Sequence, residues 1–417
     1  MSEASESKSR ISISAVTAHW RITVLGTLIL LFAIGIAYYS TAVLLDSIVA
    51  RTRYTTPEVG GAVGVCFAVV CCVSPIVGWS IAKIGARTVV MTGGVLIAAS
   101  VSLLAVAGNV ITVYLGFIGL GLGAAAGGYI AVFVIIVATT GSDSASVIGV
   151  AATGAAIGGV ITGPTLSGAV HAFGYTSALI GMGLIALVGV SALAMGLPSV
   201  KNAAPASAEA VEPLDRLARR SHLTSGHFWA FTTGTSILFG VSSLVELQLV
   251  VTASDRRIGP GVTAFTVGVL VSVFVRLLTP LALNLISGPA LALVLFAMQL
   301  LSLLLVFVTP WWPGYLIGAM LIGACVGAAS VLVPILLTDI FGKPQFRTLL
   351  AMTYFASGIV GLVIPIVTGS LYQATGDYIL AGAVLALLTV AGAAGIGVVM
   401  VPSRQQTSTK PDVPAIT

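Results

Sequence analysis

Twelve runs of about twenty mostly apolar residues, separated by short gaps, constrain this chain more than any other feature. A helix rises 1.5 Å per residue, so about 20 such residues cross the hydrocarbon core of a bilayer. The runs fall at 22–45, 59–82, 88–107, 111–137, 147–170, 176–197, 228–252, 261–285, 289–308, 314–337, 348–371 and 378–400, and are numbered spans 1 to 12. Only 7% of the residues are charged, whereas a soluble domain carries about 25%. A water-facing surface so poor in charge would aggregate. That excludes a soluble enzyme, a disordered protein and a disulfide scaffold. The expected class is an all-α integral membrane protein with the lipid bilayer as its solvent.

One long internal gap, 198–227, carries Lys201, Glu209, Glu212, Asp215, Arg216, Arg219 and Arg220 among Ala, Pro and Ser, and reads as a flexible linker with a short amphipathic helix at 212–220. It divides the chain into a tail 1–21, a six-span half 22–197, the linker, a six-span half 228–401 and a tail 402–417. The polar start and the long first apolar run do not fit a cleavable signal peptide. With the N-terminus in the cytoplasm, Lys8, Arg10, Arg21, Lys83, Arg87, Lys201, Arg216, Arg219, Arg220, Lys343, Arg347, Arg404 and Lys410 lie on the cytoplasmic side, against Arg51, Arg53, Arg256 and Arg257 on the other. This asymmetry predicts a multi-pass protein of the cell membrane with both termini and the linker cytoplasmic.

The net charge of +5 therefore reports topology, and no nucleic-acid partner is expected, because the basic residues do not cluster on one amphipathic face. Cys66, Cys71, Cys72 and Cys325 sit in apolar runs without zinc spacing and are expected to pack as small hydrophobes. The glycines at 119, 121, 123, 127 and 128 lack the Lys-Ser/Thr ending of a phosphate loop. No metal and no cofactor is expected. The halves repeat weakly: Pro164 and Gly168 recur as Pro365 and Gly369, an offset of 201 residues, and each pair precedes a short turn at Gly174 or Gly376.

After span 2 the chain reads Gly78-Trp79-Ser80-Ile81-Ala82-Lys83-Ile84-Gly85-Ala86-Arg87. This resembles the cytoplasmic-loop signature of the major facilitator superfamily, with Ala82 where that family has Asp. The resemblance implies twelve transmembrane helices in two pseudo-symmetric six-helix bundles (the major facilitator fold), transport by alternating access, and a gating loop of Gly78, Lys83, Gly85 and Arg87. The second-half copy, at Pro280, Asn284 and Ser287, is nearly erased. Gly35 to Ser40 in span 1, Arg276 with Asn284 eight residues later, and Pro334 to Gly342 resemble the monocarboxylate-porter and oxalate/formate-antiporter branch. In that branch an Arg in span 8 binds the substrate carboxylate. Carriers of dicarboxylates add a cation in span 11, where this chain has Tyr354 to Gly358 without one. The resemblance thus implies a monoanionic cargo.

Arg276 stands out without any family. An intramembrane charge costs about 2.5–3.5 kcal/mol on insertion scales, and Arg cannot shed its proton. It needs an anion, backbone carbonyls or a wet cavity, and its planar fork matches a carboxylate. Glu246 in span 7 is the comparable acid, either a proton-coupling site or a solvated residue at the outer mouth. Counting residues from the span centres separates the two by ~13 Å, so no direct pair is expected. Tyr129, Ser330 and Tyr354 share the depth of Arg276 and are candidate substrate contacts in a cavity bordered by spans 1, 4, 7 and 10. One of Tyr38 and Tyr39 is expected to join them, since helical neighbours point about 100° apart. Gly159, Gly163, Pro164 and Gly168 resemble an antiporter motif and predict a kink with close helix packing. These readings combine into a monomeric carrier of a small carboxylate, driven by a proton. The alternative is a proton-driven exporter of drugs or hydrophobic compounds, against which Arg276 would repel cations. An enzyme is not expected, because no His/Asp or Cys cluster lies at membrane depth.

Overall fold

A computed structural model describes residues 13–41, 44, 47–48, 51, 56–198, 223–343 and 345–400, and every regular element among them is helical. Lipid offers no hydrogen bonds to the backbone, and a helix satisfies each crossing segment internally. Ten helices are long and apolar enough to cross a bilayer. One of them, Val110–Phe173, has 64 residues and would span about 96 Å if straight, three bilayer cores. It instead folds back at the 3-10 turn Gly141–Asp143, where Gly141 has φ +57°. It therefore crosses twice, as span 4 (Val110–Gly127 continued by Tyr129–Thr140) and span 5 (Ser144–Phe173). Span 2 is a bent pair, Gly61–Cys72 and Ser74–Ile84, meeting at 48°. Pro75 in the first turn of the second piece accounts for the bend, because proline lacks the donor that would continue the first. With these two resolved, the crossings number twelve, as the hydropathy pattern predicts.

The spans form two six-helix bundles. Span 1 packs on span 5, and span 3 on spans 4 and 6; in the second half, span 10 packs on spans 8 and 9, and span 7 on spans 11 and 12. The bundles meet along two seams, span 5 against span 8 and span 2 against span 11. Small residues make these approaches possible. Gly358 of span 11 lies directly over Cys71, Gly149 of span 5 over Pro280, and a Cβ on Gly78 would stand 3.0 Å from that of Ala351.

Several expectations change here. Gly163 and Gly168 face open space; the span 1–span 5 seam runs through Gly154 and Gly158, where a Cβ on Gly35 would lie 2.8 Å from the Gly158 Cα. Gly159 joins the seam by underlying the Tyr39 ring at 2.8 Å. The paired turns differ: Gly174 has φ 79° and ψ 159°, whereas Gly376 is left-handed helical (φ 75°, ψ 6°). The repeat survives in what the following tyrosines meet. The Tyr175 hydroxyl donates to Leu104 O at the end of span 3, and Tyr378 stacks on Phe307 at the end of span 9. Cys66 and Cys325 are buried as expected, but Cys72 is exposed and Cys71 only half-buried. The linker from 199 to 222 with its amphipathic stretch, and the tail from 401, lie outside the described residues.

In the loop after span 2, Gly85 has φ 87° and ψ 148°, which glycine alone adopts without strain. The Lys83 ammonium sits 5.0 Å from the Trp79 ring centroid, and Arg87 is half-buried. The same backbone turn recurs at Gly342 (φ 81°, ψ 162°) between spans 10 and 11, but no positive-φ glycine occupies the span 8–span 9 loop.

Candidate functional site

Span 8 is the helix Gly261–Ala282. Ser272 lies four residues before Arg276 and therefore on the same helix face. Arg276 is 1% exposed, so each of its donors must find a partner inside the protein. Its Nη1 donates to Ser272 Oγ at 2.8 Å, and its Nε donates to Ser330 Oγ of span 10 at 3.0 Å. Both hydroxyls spend their own protons on carbonyls one turn back, Val269 O and Gly327 O at 2.7 Å. Their lone pairs are thereby turned toward the guanidinium. The hydroxyls of Tyr39 and Tyr129 also interact with it. No acidic side chain pairs with Arg276 among the described residues. Oxygen dipoles hold this buried cation in place and leave its charge uncompensated.

Arg276 borders a cavity of about 170 Å³ between the two bundles. Tyr38, Tyr39, Tyr129, Glu246 and Tyr354 border the same cavity, so the structure brings together five further candidates read from four different sequence segments. Ser330 stands behind Arg276 and borders a neighbouring pocket of about 10 Å³ with Thr353 and Ser357, roomy enough for about one water. From there, Ser357 Oγ donates to Ser236 Oγ at 3.0 Å and Ser236 Oγ donates to Thr353 O at 3.4 Å, tying span 7 to span 11. The gating-loop residues Lys83, Gly85 and Arg87 do not border the cavity; they lie at the far end of span 2.

Glu246 is 3% exposed and its Oε1 has no hydrogen-bond partner. It is therefore buried, not a solvated residue at the mouth. It shares the cavity with Arg276 without forming an ion pair. Both Tyr38 and Tyr39 reach the cavity, against the expectation of one. The reason is local: Gly35–Tyr39 is a π-helical turn, which narrows the angle between neighbouring side chains to about 80°. Tyr38 then meets Phe67 at 4.4 Å between centroids and Tyr39 at 5.2 Å. Tyr129 and Tyr354 lie parallel, 6.3 Å apart.

The cavity wall also extends beyond spans 1, 4, 7 and 10. Spans 8 and 11 join it through Arg276, Tyr354 and Ser357, and span 2 through Phe67, Val70 and Cys71. Of the residues missed, Ser272 was recoverable from its i−4 spacing to Arg276. Phe67, Cys71 and Phe239 carry no sequence signal, since apolar residues in an apolar helix look alike whichever way they face.

The chain matches the family description Major Facilitator Superfamily over residues 27–298. No curated protein sequence matches it. Among solved structures it is similar to the Escherichia coli fucose:proton symporter FucP, with TM-score 0.65 and 17% identity over 91% of this chain and 98% of that one. FucP in its outward conformation gives TM-score 0.61 and 15% identity over 90% and 99%. The human organic anion transporter MFSD10 (TETRAN) gives TM-score 0.66 and 15% identity over 93% and 99%. At these identities the solved structures speak to the fold, and the family match covers more than half of the sequence; the chain belongs to the Major Facilitator Superfamily and is a multi-pass membrane carrier, not an enzyme.

Proposed function

We propose that this protein is a secondary active transporter that moves an organic monocarboxylate together with a proton by alternating access. The observation that carries the reading is Arg276: 1% exposed, bordering the inter-bundle cavity, and held by hydroxyls with no acidic side chain paired to it among the described residues. A carboxylate entering the cavity would supply the missing charge in bidentate geometry. Tyr39 and Tyr129 would donate to the same anion, Tyr38 and Tyr354 would enclose its body, and Ser330 would keep the guanidinium aimed. Glu246 would take and release the coupling proton, since its unpartnered, buried carboxyl group faces the same cavity. Among the fold relatives are a proton symporter and an organic anion transporter, which agree with a proton and an anionic cargo. The excess of Lys and Arg on one side supports cytoplasmic termini. The gating role of Gly78, Lys83, Gly85 and Arg87 rests on the loop signature, and the packing of Gly78 on Ala351 of span 11 supports it.

The test is uptake into proteoliposomes under an imposed inward proton gradient, with labelled mono- and dicarboxylates, for wild type and Arg276→Ala. Gradient-driven uptake of a monocarboxylate that disappears in the variant is the expected result. Uptake that ignores the substitution, or no uptake of any acid, overturns the reading. The second reading, export of hydrophobic compounds, is favoured by the largely apolar wall of the cavity; efflux of such compounds unaffected by Arg276→Ala would establish it instead.

A further inference from the structure

Six aromatic rings border the cavity beside its one cation and one acid: Tyr38, Tyr39, Phe67, Tyr129, Phe239 and Tyr354. A two- or three-carbon acid would engage Arg276 and leave most of this wall untouched. The rings also present mixed orientations. Tyr38 meets Tyr39 at 66° and Phe67 at 52°, and Phe239 meets Tyr354 at 80°, whereas Tyr129 and Tyr354 are nearly parallel at 7°. A wall that offers both ring faces and ring edges complements the quadrupole of another ring, which a saturated body lacks. At the same cavity, Glu246 Oε1 is buried without a donor. Such an acceptor carries a desolvation penalty that a hydroxyl of the cargo would offset. Arg276 and Glu246 are not paired, so one molecule that satisfies both must carry its two polar ends apart.

We infer that the cargo is an aromatic monocarboxylate with a hydroxyl group remote from the carboxylate: the carboxylate meets Arg276, the ring lies among the six aromatic side chains, and the hydroxyl donates to Glu246. This rests on the monocarboxylate reading above and narrows it.

The test is isothermal titration calorimetry of the full-length carrier in lipid nanodiscs at a single pH, with acetate, cyclohexylacetate, phenylacetate and 4-hydroxyphenylacetate as probes. Burial of the ring gives phenylacetate an affinity on the order of 10²-fold above acetate. Phenylacetate binds several-fold more tightly than cyclohexylacetate, and Phe67→Leu erases that preference, because only the aromatic wall distinguishes the two. The 4-hydroxyl adds about tenfold, and Glu246→Leu removes this gain, so that phenylacetate and 4-hydroxyphenylacetate bind alike in the variant, a change of ratio that a general loss of fold would not produce. Acetate bound as tightly as phenylacetate, with both lost in Arg276→Ala, overturns the inference and leaves the monocarboxylate reading intact. Equal binding of phenylacetate and 4-hydroxyphenylacetate overturns the Glu246 contact. No binding of any probe, or binding unaltered by Arg276→Ala, overturns the monocarboxylate reading and the inference with it.

Discussion

The two halves of the chain build the same six-helix scaffold but furnish the cavity between them differently. The N-terminal half contributes Tyr38, Tyr39, Phe67, Cys71 and Tyr129, which carry no charge. The C-terminal half contributes both ionisable extremes, Arg276 and Glu246, together with Ser243 and Ser357. Tyr129 and Ser330 make the contrast local. They stand 201 residues apart, the same offset that relates Pro164 to Pro365, and both interact with Arg276. One copy of the repeat gives a phenol in the cavity, and the other gives a small hydroxyl behind the guanidinium. The scaffold is shared between the halves, and the candidate binding residues are positions where the halves differ. The charge that would grip a cargo anion lies in the C-terminal half, and the N-terminal half would cover it with uncharged phenols, two of which, Tyr39 and Tyr129, would add hydrogen bonds.

If charge resides in one half alone, removing it must have the largest effect. Arg276→Ala should lower apparent affinity by roughly 10²–10³-fold, since deleting one partner of a buried charge interaction costs about 2–5 kcal/mol. Arg276→Lys should recover little, because a point charge cannot replace the planar fork held by Ser272 and Ser330. Tyr129→Ala, on the opposite wall, should cost less than Arg276→Ala in the same uptake assay. Equal losses would mean that both halves grip the cargo. Next in size, Glu246→Gln should retain exchange of internal for external cargo but abolish accumulation driven by a pH gradient. Accumulation that persists in this variant would remove Glu246 from proton coupling.

The seam between the halves gives a third expectation. Gly358 lies so close over Cys71 that an alanine side chain would overlap it. Gly358→Ala should therefore destabilise the carrier by about 1–3 kcal/mol, seen as a lower thermal midpoint in detergent. The double variant Cys71→Gly/Gly358→Ala moves the methylene from one bundle to the other and should recover most of the loss. A double variant as unstable as the single one would show that some contact other than this pair sets the separation of the bundles.

The scaffold was legible because lipid leaves few choices. Apolar run lengths fix the crossings, and the placement of Lys and Arg biases their direction. Arg276 and Glu246 were legible for the same reason: charge at membrane depth is costly and needs a use. The π turn at Gly35–Tyr39 was not legible, because the backbone choice between i+4 and i+5 bonding depends on span 5 packing beneath Tyr39 at Gly159. The aromatic wall was only half legible. Tyrosines advertise a polar end, whereas Phe67 and Phe239 are indistinguishable from lipid-facing residues until the helices are assembled. The turns at Gly174 and Gly376 were legible as turns but not in conformation, since the two glycines settled into different backbone wells.

The smallest effects test the divergence of the repeat itself. Ser330→Ala leaves Arg276 Nε without its acceptor in a site that is 1% exposed. A hydrogen bond to a charged group contributes about 1.5–3 kcal/mol, so transport should fall by roughly 10–100-fold. Tyr129→Phe keeps the ring parallel to Tyr354 and deletes only the hydroxyl, and should cost about 2–10-fold. The two variants also differ in kind. Ser330 positions the guanidinium whether or not cargo is present, so its loss should weaken the binding of every carboxylate by a similar factor. Tyr129 faces the cargo, so its hydroxyl should matter in proportion to how well each carboxylate reaches it. A panel of acids measured against both variants separates the roles. If Ser330→Ala discriminates among acids while Tyr129→Phe lowers all of them equally, the positions have exchanged functions, and the division between a gripping half and a covering half fails.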